Sequence, residues 1–527
     1  MTEEDKKKLE NELKSEQGKL DIPVETIIEQ VETFKKGIPY VRIVRACTID
    51  DGIRFIPKEH YNKYFDLFQS AAENERVIKF VPASGAASRM FKKLQSVLTE
   101  SKTTHKELEK DANSGDEESS SVLEFIKNLE HFAFYDDLKK KMDETGVNLE
   151  KLKVQGKFEE ILKFTLDEIG LGYTGKPKGS IKFHNYPEGS RTAFEEHLIE
   201  ALNYTKTKNG PAHIHFTISA EHEELVKSVI DPIIIKYSKK GKQIEVSYSF
   251  QKTTTNTVAA TADNKPFKDE KGKIVFRPGG HGALLSNLID MQADIIVIKN
   301  IDNIVPDHIR EETYKYKKLL IGYLVELHSK ILAYLAKLEE ENISDELLEE
   351  IKNFAKNDLE LKITEEYKSM SSDNKRDYLF RLMNRPIRIC GMVRKEGHPG
   401  GGPFWVLGKD GKVTKQVVEI TQIDLSSKEQ DDILKSATHF SPVDFICCVR
   451  DYNNKPFDLY QFSDKDSGLI TIKSKDGKEL KALELPGLWN GGMANWITVF
   501  VEVPKITFNP VKEVNDLLKA EHQPPNF

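Results

Sequence analysis

Val77–Lys93 reads VIKFVPASGAASRMFKK. Val77 to Val81 has the composition of a short buried strand, and the chain leaves it through Ala83-Ser84-Gly85-Ala86-Ala87-Ser88 into an arginine, Arg89, where a helix should begin. A strand that ends in small residues ahead of a helix leaves backbone N–H groups free at the positive end of the helix dipole, which makes an anion site. Ala83, Ser84, Gly85, Ala86 and Ala87 let a phosphate approach the main chain, and Ser88 adds a hydroxyl donor. Arg89 is a fixed positive charge able to stabilise a phosphate that gains charge during reaction. An ordinary strand-to-helix turn with a solvated arginine fits the same letters. The spacing matches neither the GxxxxGKS/T phosphate loop nor the GxGxxG dinucleotide fingerprint.

Around this stretch, strands and helices alternate. Runs of β-branched and aromatic residues predict strands at Val77–Val81, His213–Ile218, Gln243–Phe250, Asp294–Lys299, Ile387–Val393, Lys415–Ile420, Val443–Val449 and Ile497–Val503. The interleaving implies an α/β fold, with a mostly parallel sheet and helices on both faces. Residues 1–75 read as an N-terminal helical region, 76–510 as the α/β domain and 511–527 as a C-terminal tail. Two insertions interrupt the domain. Residues 95–175 are polar and helical, with 100–120 (ESKTTHKELEKDANSGDEESS) expected to be a mobile surface loop. Residues 311–381 are helical, since Leu320, Leu324, Leu327, Ile331, Leu335 and Leu338 step at threes and fours, and Ser344 is placed to cap a second helix. That leucine stripe reads as core; a partner-binding scaffold would need it exposed.

The length of 527 residues supports a sizeable core, and 38% hydrophobic with 31% charged residues fits a soluble globular protein. A net charge of −7 argues against a nucleic-acid binder. The first residues, MTEEDKKKLENELKSEQ, have no apolar core of a secretory leader, and the apolar stretch around Leu319–Val325 is too short to span a bilayer. A cytoplasmic protein without membrane partners is the expectation, with Cys47, Cys390, Cys447 and Cys448 as buried free thiols. The oligomeric state is not legible.

Three more stretches carry chemistry. Lys176-Pro177-Lys178-Gly179-Ser180 offers lysines on a fixed turn to anionic groups, or is a plain surface turn. Arg277-Pro278-Gly279-Gly280-His281-Gly282 makes a loop whose backbone can approach a planar ligand. Asp294–Lys299 runs into Asn300-Ile301-Asp302-Asn303, which places a carboxylate at the end of a strand, where open α/β sheets bind ligands. Asp302 suits Mg²⁺, which commonly bridges carboxylates and substrate phosphates, although an Asx-turn is the plain alternative. His213 and His215 share a strand face with His222 nearby, but no spacing marks further zinc ligands, and no GxSxG elbow is present.

In this order the stretches resemble the nucleotide-diphospho-sugar pyrophosphorylases, of the UDP-N-acetylhexosamine and UDP-glucose type. The whole chain also resembles an uncharacterised, largely bacterial family of unknown function. Ala83 to Met90 resembles the pyrophosphorylases' glycine-rich loop, with Ala87 in place of its second glycine and Ser88 in place of its threonine. Pro177-Lys178-Gly179 is similar to their Pro-Lys element, though much further along the chain from Arg89. Phe250-Gln251 with Pro278 to Gly282 is similar to the nucleobase-side loop, Ile301-Asp302-Asn303 to the metal site, and Gln416 to Ile420 to the strand near the sugar.

The resemblance implies a glycosyltransferase-A-like nucleotidyltransferase sheet, Mg²⁺, and a nucleoside triphosphate plus a sugar-1-phosphate as substrates. It assigns Arg89 and Lys178 to catalysis. Ala83, Ser84, Gly85, Ser88, Gln251, Gly280, His281 and Gly282 would bind the nucleotide, Glu419 and Asn490 the sugar, and Asp302 and Asn495 the metal. Because the glycine loop is altered, a nucleotide-sugar sensor without turnover is the rival reading.

Overall fold

The computed structural model describes residues 3–15, 21–74, 76–291, 293–340, 342–396, 401–475 and 477–525. It is a mixed α/β protein with a mostly parallel central sheet and many helices. The chain divides into two compact units. Unit 1 comprises Met1–Ala71, Ser249–Ile298 and Leu319–Val503, and unit 2 comprises Ala72–Tyr248, Lys299–Lys318 and Pro504–Phe527.

In unit 1 the strands Thr48–Ile49, Gly52–Arg54, Ile497–Glu502, Ile387–Arg394, Asp444–Cys448 and Ile295–Lys299 lie side by side in that order. The first four run parallel, and Ile387–Arg394 meets Asp444–Cys448 antiparallel. Strands covered on both faces read as unbroken apolar runs rather than alternating ones, and Ile295–Lys299 and Asp444–Cys448 are buried at every position. Two side sheets complete the unit. One pairs Ile43–Ala46, Gly402–Leu407 and Val413–Val418, and the other joins Phe276–Arg277, Thr257–Ala260, Lys478–Glu484 and Leu469–Lys475.

In unit 2, Val77–Pro82 runs parallel to Ala212–Ile218, with Ile244–Phe250 as the next strand. Helix Ala193–Tyr204 and helix Glu223–Ser238 pack on these strands through Leu198, Phe216, Val226 and Ile230. His215 lies flat against Phe80 at 5.4 Å, so it is a sheet-face histidine, and His213 faces Glu245 instead. Among the described residues no three His, Cys, Asp or Glu side chains gather as a metal site.

All eight expected strands are present, with ends shifted by at most two residues. Three readings need correction. The N-terminal region is helical at Glu3–Ser15, Val24–Lys36 and Tyr61–Glu73, but Ile43–Arg54 forms three short strands. Ile43, Ala46 and Ile53 are buried there, while Val44 and Arg45 are exposed. Residues 100–120 are not a loose loop, because helices His105–Asn113 and Glu117–Lys127 occupy them. Thr104 and Glu107 form a reciprocal capping box, Asp116 caps the second helix, and Leu108, Val122 and Phe125 bury in the core. The tail from Val511 is also packed, with Val511, Val514 and Leu517 in that same core.

Helix Arg310–Leu338 has 29 residues and is long and apolar enough, by length and composition alone, to cross a membrane. Its stripe from Leu320 to Leu338 is buried within the protein, as the core reading required. The four cysteines are buried and free.

Candidate active site

The loop after Val77–Pro82 is held from outside rather than by itself. Ala83 N–H donates to Thr217 O (2.8 Å), Ala87 N–H to Lys176 O (2.9 Å) and Lys178 N–H to Gly85 O (3.2 Å). Pro177 thus lies beside Ala86 as an antiparallel bridge. The helices between Lys92 and Leu166 form a body that leaves at the loop and returns to it, with Phe91 and Phe134 both packed on Tyr173. The long separation in sequence therefore leaves Lys178 next to the small residues. Ala83 and Ala87 are buried, while Gly85, Ala86, Ser88 and Arg89 are exposed and Ser84 is half-buried. The N–H groups of Ser84, Gly85 and Ala86 find no acceptor among the described residues. A Cβ on Gly85 would meet nothing within 4 Å.

Lys178 Nζ lies 3.1 Å from Asp302 Oδ2, and Lys512 Nζ lies 3.0 Å from the same oxygen. Lys512 reaches it because the C-terminal segment pairs with the turn after Lys299. Asn509 N–H donates to Asn303 Oδ1 (3.1 Å), Val511 N–H donates to Asp302 O (3.0 Å), and Pro510 bridges Asn303. Burial alone would raise the Asp302 carboxyl, but Lys178 and Lys512 hold it below the usual carboxylate range. Burial pushes Lys178 down, against the pull of Asp302. Asp302 Oδ1 is buried without a hydrogen-bond partner. That orphaned oxygen fits a Mg²⁺ held by one carboxylate, with substrate phosphates and water completing the shell.

Arg89 ends the short turn Ala87–Arg89 and lines a cavity of about 150 Å³ with Lys92, Lys93, Glu118 and Glu513. Lys93 pairs with Glu513, while Arg89 makes no ion pair among the described residues.

Unit 1 holds a second cluster. His281 stacks on Trp489 at 3.9 Å and 9°, and its Nδ1 accepts from Leu488 N–H (3.0 Å). In the neutral ring the proton therefore sits on Nε2, which lies 3.5 Å from Glu419 Oε1. Asn490 Nδ2 donates to Glu419 Oε1 and to Gln422 Oε1, each at 3.1 Å. His281 and burial act in opposite directions on Glu419, and His281 with its neighbours keeps this carboxyl low. Glu419 is half-exposed, an acceptor held in place by partners on three sides.

The chain belongs to the family named Domain of unknown function (DUF4301), whose model matches residues 7–523. A search of curated proteins found no match. Among solved structures, the uridine diphosphate N-acetylglucosamine pyrophosphorylase of Trypanosoma brucei is 12% identical, with a TM-score of 0.44 over 95% of this chain and 74% of that one. A UDP-glucose pyrophosphorylase from Leishmania major, in complex with UDP-glucose, is 11% identical, with a TM-score of 0.41 over 94% and 74%. A UDP-glucose phosphorylase from Trypanosoma brucei is 11% identical, with a TM-score of 0.44 over 97% and 79%. Scores this low leave the functional argument to the residues.

Not every residue singled out in this DUF4301 chain gains a role. The glycines around His281 are explained by the chain itself. Gly280 has φ +72°, and a Cβ on Gly282 would sit 2.3 Å from Pro486 O, so their bare backbone accommodates the 484–487 segment. Gln251 is half-buried just past its strand. Asn495 is not with Glu419; it lines another cavity of unit 1 together with Gln416. Lys512 is the residue that sequence reasoning missed, and nothing in its neighbours' letters marks it.

Proposed function

We propose that this protein transfers a nucleotidyl group from a nucleoside triphosphate, UTP by resemblance, to a sugar-1-phosphate, releasing pyrophosphate. The observation that carries the reading is the convergence of Lys178 and Lys512 on Asp302, with Lys178 tied to a loop of unpaired N–H groups. An oxygen of the sugar phosphate attacks the α-phosphorus in line. The new P–O bond forms as the bond from the α-phosphorus to the bridging oxygen breaks, and the electron pair leaves with pyrophosphate. Catalysis of this kind is mainly positioning and charge stabilisation. The loop N–H groups and Arg89 hold phosphate oxygens, and Lys178 and Lys512 supply mobile positive charge. Mg²⁺ at Asp302 would neutralise charge on the phosphates.

A sensor without turnover is favoured by one observation, that Asp302 Oδ2 is already taken by two ammonium groups. Pyrophosphate release from UTP across a panel of sugar-1-phosphates with Mg²⁺ separates the two. Stabilisation by a UDP-sugar with no product from any sugar would leave only binding.

Two outcomes follow for ligand binding. Asp302→Asn should lose most of the Mg²⁺-dependent rise in melting temperature that UTP produces, with the circular dichroism spectrum unchanged. An undiminished rise would remove Asp302 from the metal. Separately, UTP should stabilise the wild-type chain more than ATP, CTP or GTP. Equal shifts for all four would deny any preference for the uracil base.

A further inference from the structure

Unit 1 contains a cavity of about 300 Å³ that the reading above does not use. It is bounded by helix Ser372–Met383, strand Val413–Val418 and the segment 494–498. His281, Glu419, Trp489 and Asn490 are absent from its lining. The lining carries five cations, Lys362, Arg381, Arg385, Lys412 and Lys415, against one carboxylate, Glu360. Such a surplus is unexpected in a chain whose net charge is −7.

Two of the five are already neutralised. Lys415 is ion-paired with Glu360, and Lys412 lies 3.0 Å from Asp410. Lys362, Arg381 and Arg385 make no ion pair among the described residues. Arg385 is half-buried, and among the described residues its guanidinium donates to two backbone carbonyls, Leu382 O at 2.7 Å and Asn495 O at 3.4 Å, and to no carboxylate. Burial pushes its pKa down, the direction expected of a cation that no carboxylate compensates. The indole Nε1 of Trp496, also in the lining, is buried without an acceptor. Removing cationic donors from water costs free energy unless an anion meets them.

We infer that this cavity binds a small phosphate-bearing anion. The two guanidinium forks match pairs of phosphate oxygens, and Lys362 adds a point charge. Three unneutralised cations suit a multiply charged group better than a single carboxylate. A volume of about 300 Å³ is at the lower limit for ligand pockets, which favours a phosphate ester of a few carbons, or free phosphate, over a nucleotide. The cavity's lining shares no residue with the proposed nucleotidyl transfer, so either reading can fail alone.

Isothermal titration of the full chain tests it, with inorganic phosphate, glycerol 3-phosphate and citrate as probes. The loop of unit 2 can also take phosphate, so the signal assigned to this cavity is the part that Arg381→Gln weakens. Saturable binding of a phosphate probe is expected, with Arg381→Gln weakening it about tenfold or more and Arg385→Gln weakening it further. Tighter binding of glycerol 3-phosphate would identify an ester, and equal affinities the free ion. Arg381 is exposed, so Arg381→Gln folds even if Arg385→Gln does not. Unchanged affinity in Arg381→Gln, or citrate binding more tightly than both phosphate probes, would overturn the inference.

Discussion

Arg89→Ala should lower pyrophosphate release from UTP and a productive sugar-1-phosphate by about 10²–10³-fold, the usual effect of losing one positioned donor to developing charge. Arg89 stands where the small-residue loop turns into helix, exposed and without an ion pair among the described residues. The neighbouring N–H groups supply partial charges, and the guanidinium supplies the full charge they lack. Arg89→Lys should recover only part of the rate, because a point charge does not reproduce the planar fork. The melting temperature should hardly move in either variant, since an exposed side chain without partners contributes little to stability. A sugar-1-phosphate that supports turnover has to be found first. If wild-type protein turns over and Arg89→Ala keeps full activity, the phosphate reading of residues 83–89 falls.

What the letters revealed depended on the range of the interaction involved. Ile295–Lys299 and Asp444–Cys448 were legible because a strand buried on both faces must be apolar throughout. The helices at 105–127 were hidden by their Ser, Asp and Glu content. Yet the capping signal, Thr104 followed three residues later by Glu107, was present and should have outweighed composition. The convergence of the Arg89 loop with Pro177-Lys178 could be suspected only from motif order, because the hydrogen bonds that make it join residues far apart in sequence. Lys512 was illegible for the same reason, since its place at Asp302 depends on Asn303 pairing with Asn509 and Pro510. Asn490 and Asn495 are close in sequence, yet the structure puts Asn490 on Glu419 and Asn495 in the lining of another cavity of unit 1. Glycine-rich letters around His281 suggested room for a ligand, and the chain's own 484–487 segment takes that room.

Glu200→Gln should be the most destabilising conservative substitution in unit 2, at about 3–5 kcal/mol, the typical cost of breaking a buried ion pair by removing one partner. Glu200 is 1% exposed on helix Ala193–Tyr204 and receives Lys79 Nζ at 3.4 Å and Lys299 Nζ at 2.8 Å. Tyr204 OH donates to it at 2.8 Å, and Lys79 also donates to His197 O at 3.1 Å. Lys317, a third buried lysine, is pushed down by burial and by Lys299, with Glu200 opposing. Burial would raise the Glu200 carboxyl, but Lys299 and Lys79 hold it low, and one carboxylate thus serves several cations. Burial pushes Lys79 down to about 7 even with Glu200 present. A lysine lowered from its free value binds fewer protons folded than unfolded, so its burial costs stability below pH 7. That cost is relieved as pH rises from about 7 toward about 10.4. Without Glu200 the lysine must fall further, so the variant's stability should start lower and its climb with pH should begin below the wild type's onset near pH 7. Lys79→Met added to Glu200→Gln should restore part of the loss, because it removes a charge left without its partner. Urea unfolding of unit 2, followed by hydrogen exchange in strand Val77–Pro82, reads all three proteins across that pH range. Equal midpoints for wild type and Glu200→Gln would show that the lysines do not depend on this carboxylate.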